Sequence, residues 1–116
     1  MLPYARYSIF QDDRYVFEPA LNGHRLLIRM ARRKVTLFTR YLHDCTAQYP
    51  ELFNVPVDED VILDGEVVLF DEQGRMDVQG LMSRYRLTRP AEIRLAAARS
   101  PVRFSLCSSF CVPYVP

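Results

Sequence analysis

Apolar and polar positions alternate early in the chain over three short stretches, Arg14 to Phe17, Arg25 to Met30 and Val35 to Thr39. Branched and aromatic residues mixed with charged ones in this way predict strands with one buried face. Leu21-Asn22-Gly23 and Ala31-Arg32-Arg33 supply turn-like breaks, so the three strands are expected to form an antiparallel meander. A polar segment with Asp44, Thr46 and Pro50 leads to Glu51-Leu52-Phe53, read as a short helical turn, and Pro56 with Asp58-Glu59-Asp60 reads as loop. Val61 to Phe70 is the most apolar run, and its β-branched content predicts a strand that Asp71-Glu72-Gln73-Gly74 closes.

The period then changes. Val78, Leu81, Met82 and Tyr85 recur at three- and four-residue intervals behind Asp77, whose carboxylate suits an N-cap, so a helix is expected through about Tyr85. Pro90 in a first turn, Glu92, Leu95 and three alanines predict a second helix ending near Ser100. Pro101-Val102-Arg103-Phe104 opens another strand. This order of elements reads as an α+β fold, an antiparallel sheet with short helices on one side.

Length bounds the rest. At 116 residues, 49% hydrophobic and 25% charged, the chain is one domain, residues 1–116, with a single core. The net charge of +1 excludes a highly basic nucleic-acid module but hides an asymmetry: residues 1–40 carry +5, residues 41–80 carry −9 and residues 81–116 carry +5. Fourteen of the fifteen basic residues are arginine, so Lys34 is the single side-chain amine. Pro3 and charged residues break the N-terminal stretch, and no apolar run approaches the ~20 residues of a membrane span, so a cytoplasmic protein without a membrane is expected. Cys45, Cys107 and Cys111 form an odd set that reads as free thiols. The uncharged stretch Ser105 to Pro116 is unlike the rest, and it is expected to pack poorly or to promote self-association.

Candidate chemistry concentrates in the acidic middle. Asp58, Glu59 and Asp60 read as a solvated turn. Asp64-Gly65-Glu66 differs because it interrupts an apolar strand: Asp64 and Glu66, two residues apart, share one face. That face looks either into a cleft or, on an edge strand, into solvent. His24 and His43 are isolated and read as surface or loop residues. The four glycines form no phosphate-loop, dinucleotide-binding or nucleophile-elbow motif.

Glu18-Pro19-Ala20-Leu21-Asn22-Gly23-His24-Arg25 resembles the first motif of the covalent nucleotidyltransferases, in the form E-P-K-x-[DN]-G-x-R found in ATP-dependent DNA ligases. Leu37-Phe38-Thr39-Arg40, Tyr49-Pro50-Glu51-Leu52 and Leu63-Asp64-Gly65-Glu66-Val67-Val68 are similar to three further blocks of that family, in order and spacing, over roughly residues 14–104. The resemblance implies the N-terminal part of an adenylation domain, a partial nucleotidyltransferase (ATP-grasp-like) unit with residues 105–116 as an atypical tail. It implies ATP and Mg²⁺ as cofactors and nicked double-stranded DNA as partner. Arg25 and Arg40 would contact the nucleotide and DNA phosphates, Glu18 would flank the adenine, and Glu66 would hold the ribose and the metal. In that family a lysine attacks the α-phosphorus of ATP, and the resulting lysyl-AMP passes its AMP to the 5′-phosphate of a nick.

Three departures qualify that expectation. Ala20 occupies the position of the nucleophilic lysine, no E-G pair or second lysine supplies the later motifs, and Ser105 to Pro116 lacks the family's F-D-[IV]-L pattern. The chain is therefore expected to be catalytically incompetent alone. A non-catalytic nucleotide- or DNA-binding module and a degenerate remnant are the alternatives.

Overall fold

In the computed structural model the described residues are 15–16, 23–56 and 58–111, and they build one five-stranded sheet with two α-helices. The strands are β1 (Tyr15–Val16), β2 (His24–Ala31), β3 (Lys34–Thr39), β4 (Val61–Val68) and β5 (Arg103–Cys111). The helices are α1 (Val78–Tyr85) and α2 (Pro90–Arg99), and two 3-10 turns cover Thr46–Gln48 and Pro50–Leu52. Across the sheet the order is β1-β5-β4-β2-β3.

The β2–β3 hairpin closes over Arg32 and Arg33 alone, with Ala31 paired to Lys34. Both loop residues have positive φ, 54° and 67°, as a type I′ turn requires. Asp60 Oδ1 accepts the Arg32 N–H at 2.8 Å and ties this turn to the approach to β4. β4 is the central strand, antiparallel to β2 on one side and to β5 on the other. Alternation along β2 and β4 then splits the sheet into two faces. Leu26, Ile28, Met30, Val61, Leu63 and Val67 point to the helix side, where Leu37, Tyr49, Leu52, Leu81, Val102 and Phe104 complete the core. Gly65 lies among them, and any Cβ there would run into the Ser105 carbonyl and come within 2.8 Å of the Phe104 ring.

The expected meander forms only in part. β1 pairs in parallel with β5, Tyr15 with Phe104 and Val16 with Ser105, at the far edge of the sheet. The reason is that both edges of β2 are already occupied, one by β3 and the other by β4. From Ser105 to Cys111 the tail also differs from expectation: it continues β5 along β4, and Ser105 and Leu106 are buried, while residues 112–116 lie outside the described residues. A register shift opposite Asp64/Gly65 leaves Cys107 without a partner in the ladder, a β-bulge. Lack of charge, read as a liability, is what a strand inserted beside a central strand needs.

Both helices start where expected. The Asp77 carboxylate accepts the Gly80 N–H at 2.8 Å, and Pro90 opens α2, which packs on the Pro50–Leu52 turn. The roll of α1 was not legible. Leu81 and Arg84 face inward, whereas Val78, Met82 and Tyr85 stay exposed. Arg84 is drawn in by the Glu51 carboxylate, which it reaches at 2.6 and 2.7 Å, and by the Gln48 carbonyl at 3.1 Å. Among the described residues no helix is long and apolar enough to cross a membrane.

Candidate functional site

The face of the sheet away from the helices carries Arg25, Arg29, Asp64 and Glu66 alongside Leu27, Ile62 and Val68. Pairing of β4 on both sides removes the edge-strand reading of Asp64 and Glu66, and both carboxylates lie on this face beside the β2 residues Arg25 and Leu27. Arg25 Nη2 donates to both Asp64 oxygens at 2.7 and 2.8 Å, and that carboxylate pushes the Arg25 pKa still higher. With side chains 46% and 28% exposed the pair is solvent-screened and worth ~1 kcal/mol or less. Glu66, directly across from Arg25, is by contrast nearly buried, and its Oε1 receives the Gly23 N–H at 3.4 Å. Gly23 fits there because it has no side chain: a Cβ would run into the Val67 carbonyl.

Arg40 follows β3 and is exposed, its guanidinium 5.3 Å from the centre of the Tyr41 ring. Arg25, Arg40 and Asp64, with Leu26 and Leu27, line a hollow of about 330 Å³. The fold thus brings Arg25 and Arg40 to one hollow and sets Glu66 one strand away. Glu18 and Ala20 lie outside the described residues. Opposite Glu66 on β5 sits Ser105, fully buried, its hydroxyl without a hydrogen-bond partner among the described residues. Cys107 faces the same charged groups, Arg25, Asp64 and Glu66, and desolvation raises its thiol pKa.

Of the two histidines, His43 is exposed in the loop after β3 as expected, but His24 is not a surface or loop residue. His24 is half-buried on the helix side of the sheet, where its Nε2 lies 2.7 Å from the Tyr49 hydroxyl and its Nδ1 3.1 Å from the Arg25 carbonyl. Burial lowers the His24 pKa and raises that of Tyr49, so the neutral ring donates from Nδ1 and the phenol donates to Nε2. Tyr85 closes this aromatic cluster, edge-on to His24 at 5.1 Å. Its one sequence signal was the Tyr-Pro-Glu-Leu block that carries Tyr49.

Lys34 sits at the other end of the hairpin from Gly23. Eight residue steps from Gly23 to Ala31, which pairs with Lys34, at about 3.3 Å each place it roughly 26 Å away. No group of three or more His, Cys, Asp or Glu among the described residues could hold a metal by itself. Mg²⁺ bound through a nucleotide's phosphates needs only one or two carboxylates, and Glu66 would be the residue to hold it.

The sequence profile of the ATP dependent DNA ligase domain matches residues 6–107. Over 76 residues the chain is 30% identical to the SPbeta prophage-derived DNA ligase-like protein LigB of Bacillus subtilis, covering 66% of this chain and 28% of that protein. Over 80 residues it is 35% identical to the multifunctional non-homologous end joining protein LigD of Mycobacterium bovis, covering 66% of this chain and 10% of that one. The structure of mycobacterial DNA ligase D complexed with ATP and MES is similar with a TM-score of 0.58 at 30% identity, over 78% of this chain and 27% of that chain. The ligase domain of LigD from M. tuberculosis is similar with a TM-score of 0.56 at 32% identity, over the same shares. The chain spans little more than a quarter of the length of these proteins, and much less of the multifunctional one. A profile that runs through most of the sequence, and a sheet shared with solved ligase domains, place the chain in the ATP-dependent DNA ligase domain family.

Proposed function

We propose that the Glu66 face of the sheet is a nucleotide-binding surface of a DNA ligase adenylation domain, and that in this chain it binds Mg-ATP without forming a covalent adduct. The convergence of Arg25 and Arg40 on one hollow, with Glu66 held next to it, carries this reading. Guanidinium groups match phosphate oxygens in geometry and keep their charge at any physiological pH. A carboxylate beside them accepts from a ribose hydroxyl or shares Mg²⁺, as Glu66 does in this assignment. Mg²⁺, when bound, neutralises phosphate charge. Arg25 then orients the phosphates, and Asp64 holds the Arg25 guanidinium in place until an anion arrives.

Covalent chemistry stops at Ala20, whose methyl group has no lone pair to attack phosphorus. Lys34, the single lysine, pairs with Ala31 at the turn end of the hairpin, away from Gly23. Nicked double-stranded DNA is the partner this reading implies, with Arg40 on its phosphates. Calorimetric titration of the chain with Mg-ATP tests it. Binding that weakens about tenfold or more in Arg25→Ala and Glu66→Gln, with no acid-labile AMP adduct from labelled ATP, is expected. Unchanged affinity in both variants, or an adduct that disappears in Lys34→Ala, overturns it.

A further inference from the structure

His24 stands between two residues on which the Glu66 face depends. Gly23 before it gives its N–H to Glu66 Oε1 at 3.4 Å, and Arg25 after it reaches the Asp64 oxygens at 2.7 and 2.8 Å. Side chains alternate across a sheet, so the His24 ring emerges on the helix side and acts on this stretch of backbone from behind. Among the described residues β3 joins β2 only at Leu26, and His24 and Arg25 pair with β4 alone. The head of β2 therefore has ladder support along one edge, where the site needs accuracy.

The His24 ring supplies a further hold. Its Nδ1–H donates to the Arg25 carbonyl at 3.1 Å, and its Nε2 accepts from the Tyr49 hydroxyl at 2.7 Å. Tyr49 is itself fixed: it is fully buried, with the Arg84 guanidinium 5.5 Å from its ring centre and the Tyr85 ring 6.4 Å away. Gln48 beside it donates to the Tyr85 and Leu87 carbonyls at 2.5 and 2.9 Å, and Glu51 two residues on pairs with Arg84. A packing role would ask only for the shape of the imidazole. Here both nitrogens are used, and the path they make runs from a post anchored on α1 to the main chain of Arg25.

We infer that His24 and Tyr49 are positioning residues: the hydrogen-bond chain from the Tyr49 hydroxyl through the His24 ring to the Arg25 carbonyl sets the backbone from which Gly23 meets Glu66 and Arg25 meets a phosphate. The inference rests on the Mg-ATP reading given above and adds to it two residues that touch no ligand. They act through the main chain of residues 23–25. A displacement of about 1 Å at the Arg25 guanidinium forfeits its forked fit to phosphate oxygens, so a hold on this backbone is a hold on affinity.

Two measurements on the 116-residue chain test it: Mg-ATP affinity by calorimetry and, without nucleotide, the resonance and hydrogen exchange of the Gly23 amide by NMR. Tyr49→Phe removes one oxygen and keeps the ring beside Arg84, whereas His24→Asn keeps a donor near the Arg25 carbonyl and loses the reach to Tyr49. Ile93→Val trims a buried side chain of α2 and reports what lost stability alone does. Tyr49→Phe and His24→Asn are each expected to weaken Mg-ATP about threefold or more, the worth of one neutral hydrogen bond. Both should also shift the Gly23 amide resonance and speed its exchange, and Ile93→Val should do neither. The double variant should bind no more weakly than the weaker single one, because both cut the same chain. An unmoved Gly23 amide in Tyr49→Phe, additive losses in the double variant, or the same changes in Ile93→Val overturns the inference. Arg25→Ala separates it from the reading beneath it. Affinity lost there but kept in Tyr49→Phe and His24→Asn overturns this inference alone; affinity unchanged in Arg25→Ala overturns the Mg-ATP reading and this inference with it.

Discussion

The ion pairs Arg84–Glu51 and Arg25–Asp64 share one chemistry and almost one distance, 2.6 and 2.7 Å, yet they occupy opposite sides of the sheet and opposite solvent regimes. The first has side chains only 3% and 8% exposed. Its members have partners beyond each other: Glu51 accepts the Val102 N–H at 3.0 Å, and Arg84 donates to the Gln48 carbonyl and lies 5.5 Å from the Tyr49 ring centre. It joins the Pro50–Leu52 turn, α1 and the entrance to β5. The second pair stands half in water, with a hollow at its side. Burial turns the same contact from a weak surface attraction into a joint, because a buried charge that loses its partner cannot fall back on water.

That contrast can be broken in four places. Glu51→Ala leaves the Arg84 guanidinium buried without its carboxylate and is expected to cost about 3–5 kcal/mol in a urea melt, with the double change Glu51→Ala, Arg84→Met recovering part of it. A loss below ~1 kcal/mol would erase the distinction between the two pairs. His24, on the same helix side, has a pKa below its unfolded value, so the unfolded chain takes up the proton first. Its stabilising contribution is complete above the ordinary histidine pKa and is lost as pH falls through the lowered one. Thermal melts from about pH 7.5 to about pH 5 should therefore fall more steeply for the native chain than for His24→Gln. At the hairpin tip, Arg33→Gly relieves a positive φ and should raise stability by about 0.5–1 kcal/mol in the same melt. Asp64→Asn should change stability by ~0.5 kcal/mol or less while it frees Arg25, so that phosphate affinity rises in a titration. A larger stability loss there would make the exposed pair a second joint.

Much of this was legible because its causes are local. Asp77 and Pro90 marked the starts of both helices, since capping and a fixed φ act within one turn. Asp64 and Glu66 could be put on one face by alternation alone, but whether that face met a cleft depended on β5, more than thirty residues later. The inward turn of Arg84 followed from Glu51, on a segment whose pairing with α1 no periodicity encodes, so the apolar residues of α1 pointed to the wrong side of the helix. His24 looked isolated because Tyr49 lies in another part of the chain. Ser105 to Cys111 misled for a different reason: freedom from charge reads alike in a buried strand and in an unsupported tail, and only the pairing with β4 tells them apart.

The edge of the sheet also sets an order in time. Arg32 and Arg33 bring β2 and β3 together across two residues, a closure that costs little chain entropy and needs nothing else to be in place. Tyr15 and Phe104 meet across nearly the whole described chain, so pairing of β1 carries a larger loop-closure cost than the hairpin and is expected to come late. A chain emerging from the ribosome would therefore hold β1 unpaired for most of its synthesis, with the hairpin already formed behind it. In a chevron this separates into two signatures: Arg33→Gly should act on the refolding limb, whereas Val16→Pro, at the strand that joins last, should act on the unfolding limb.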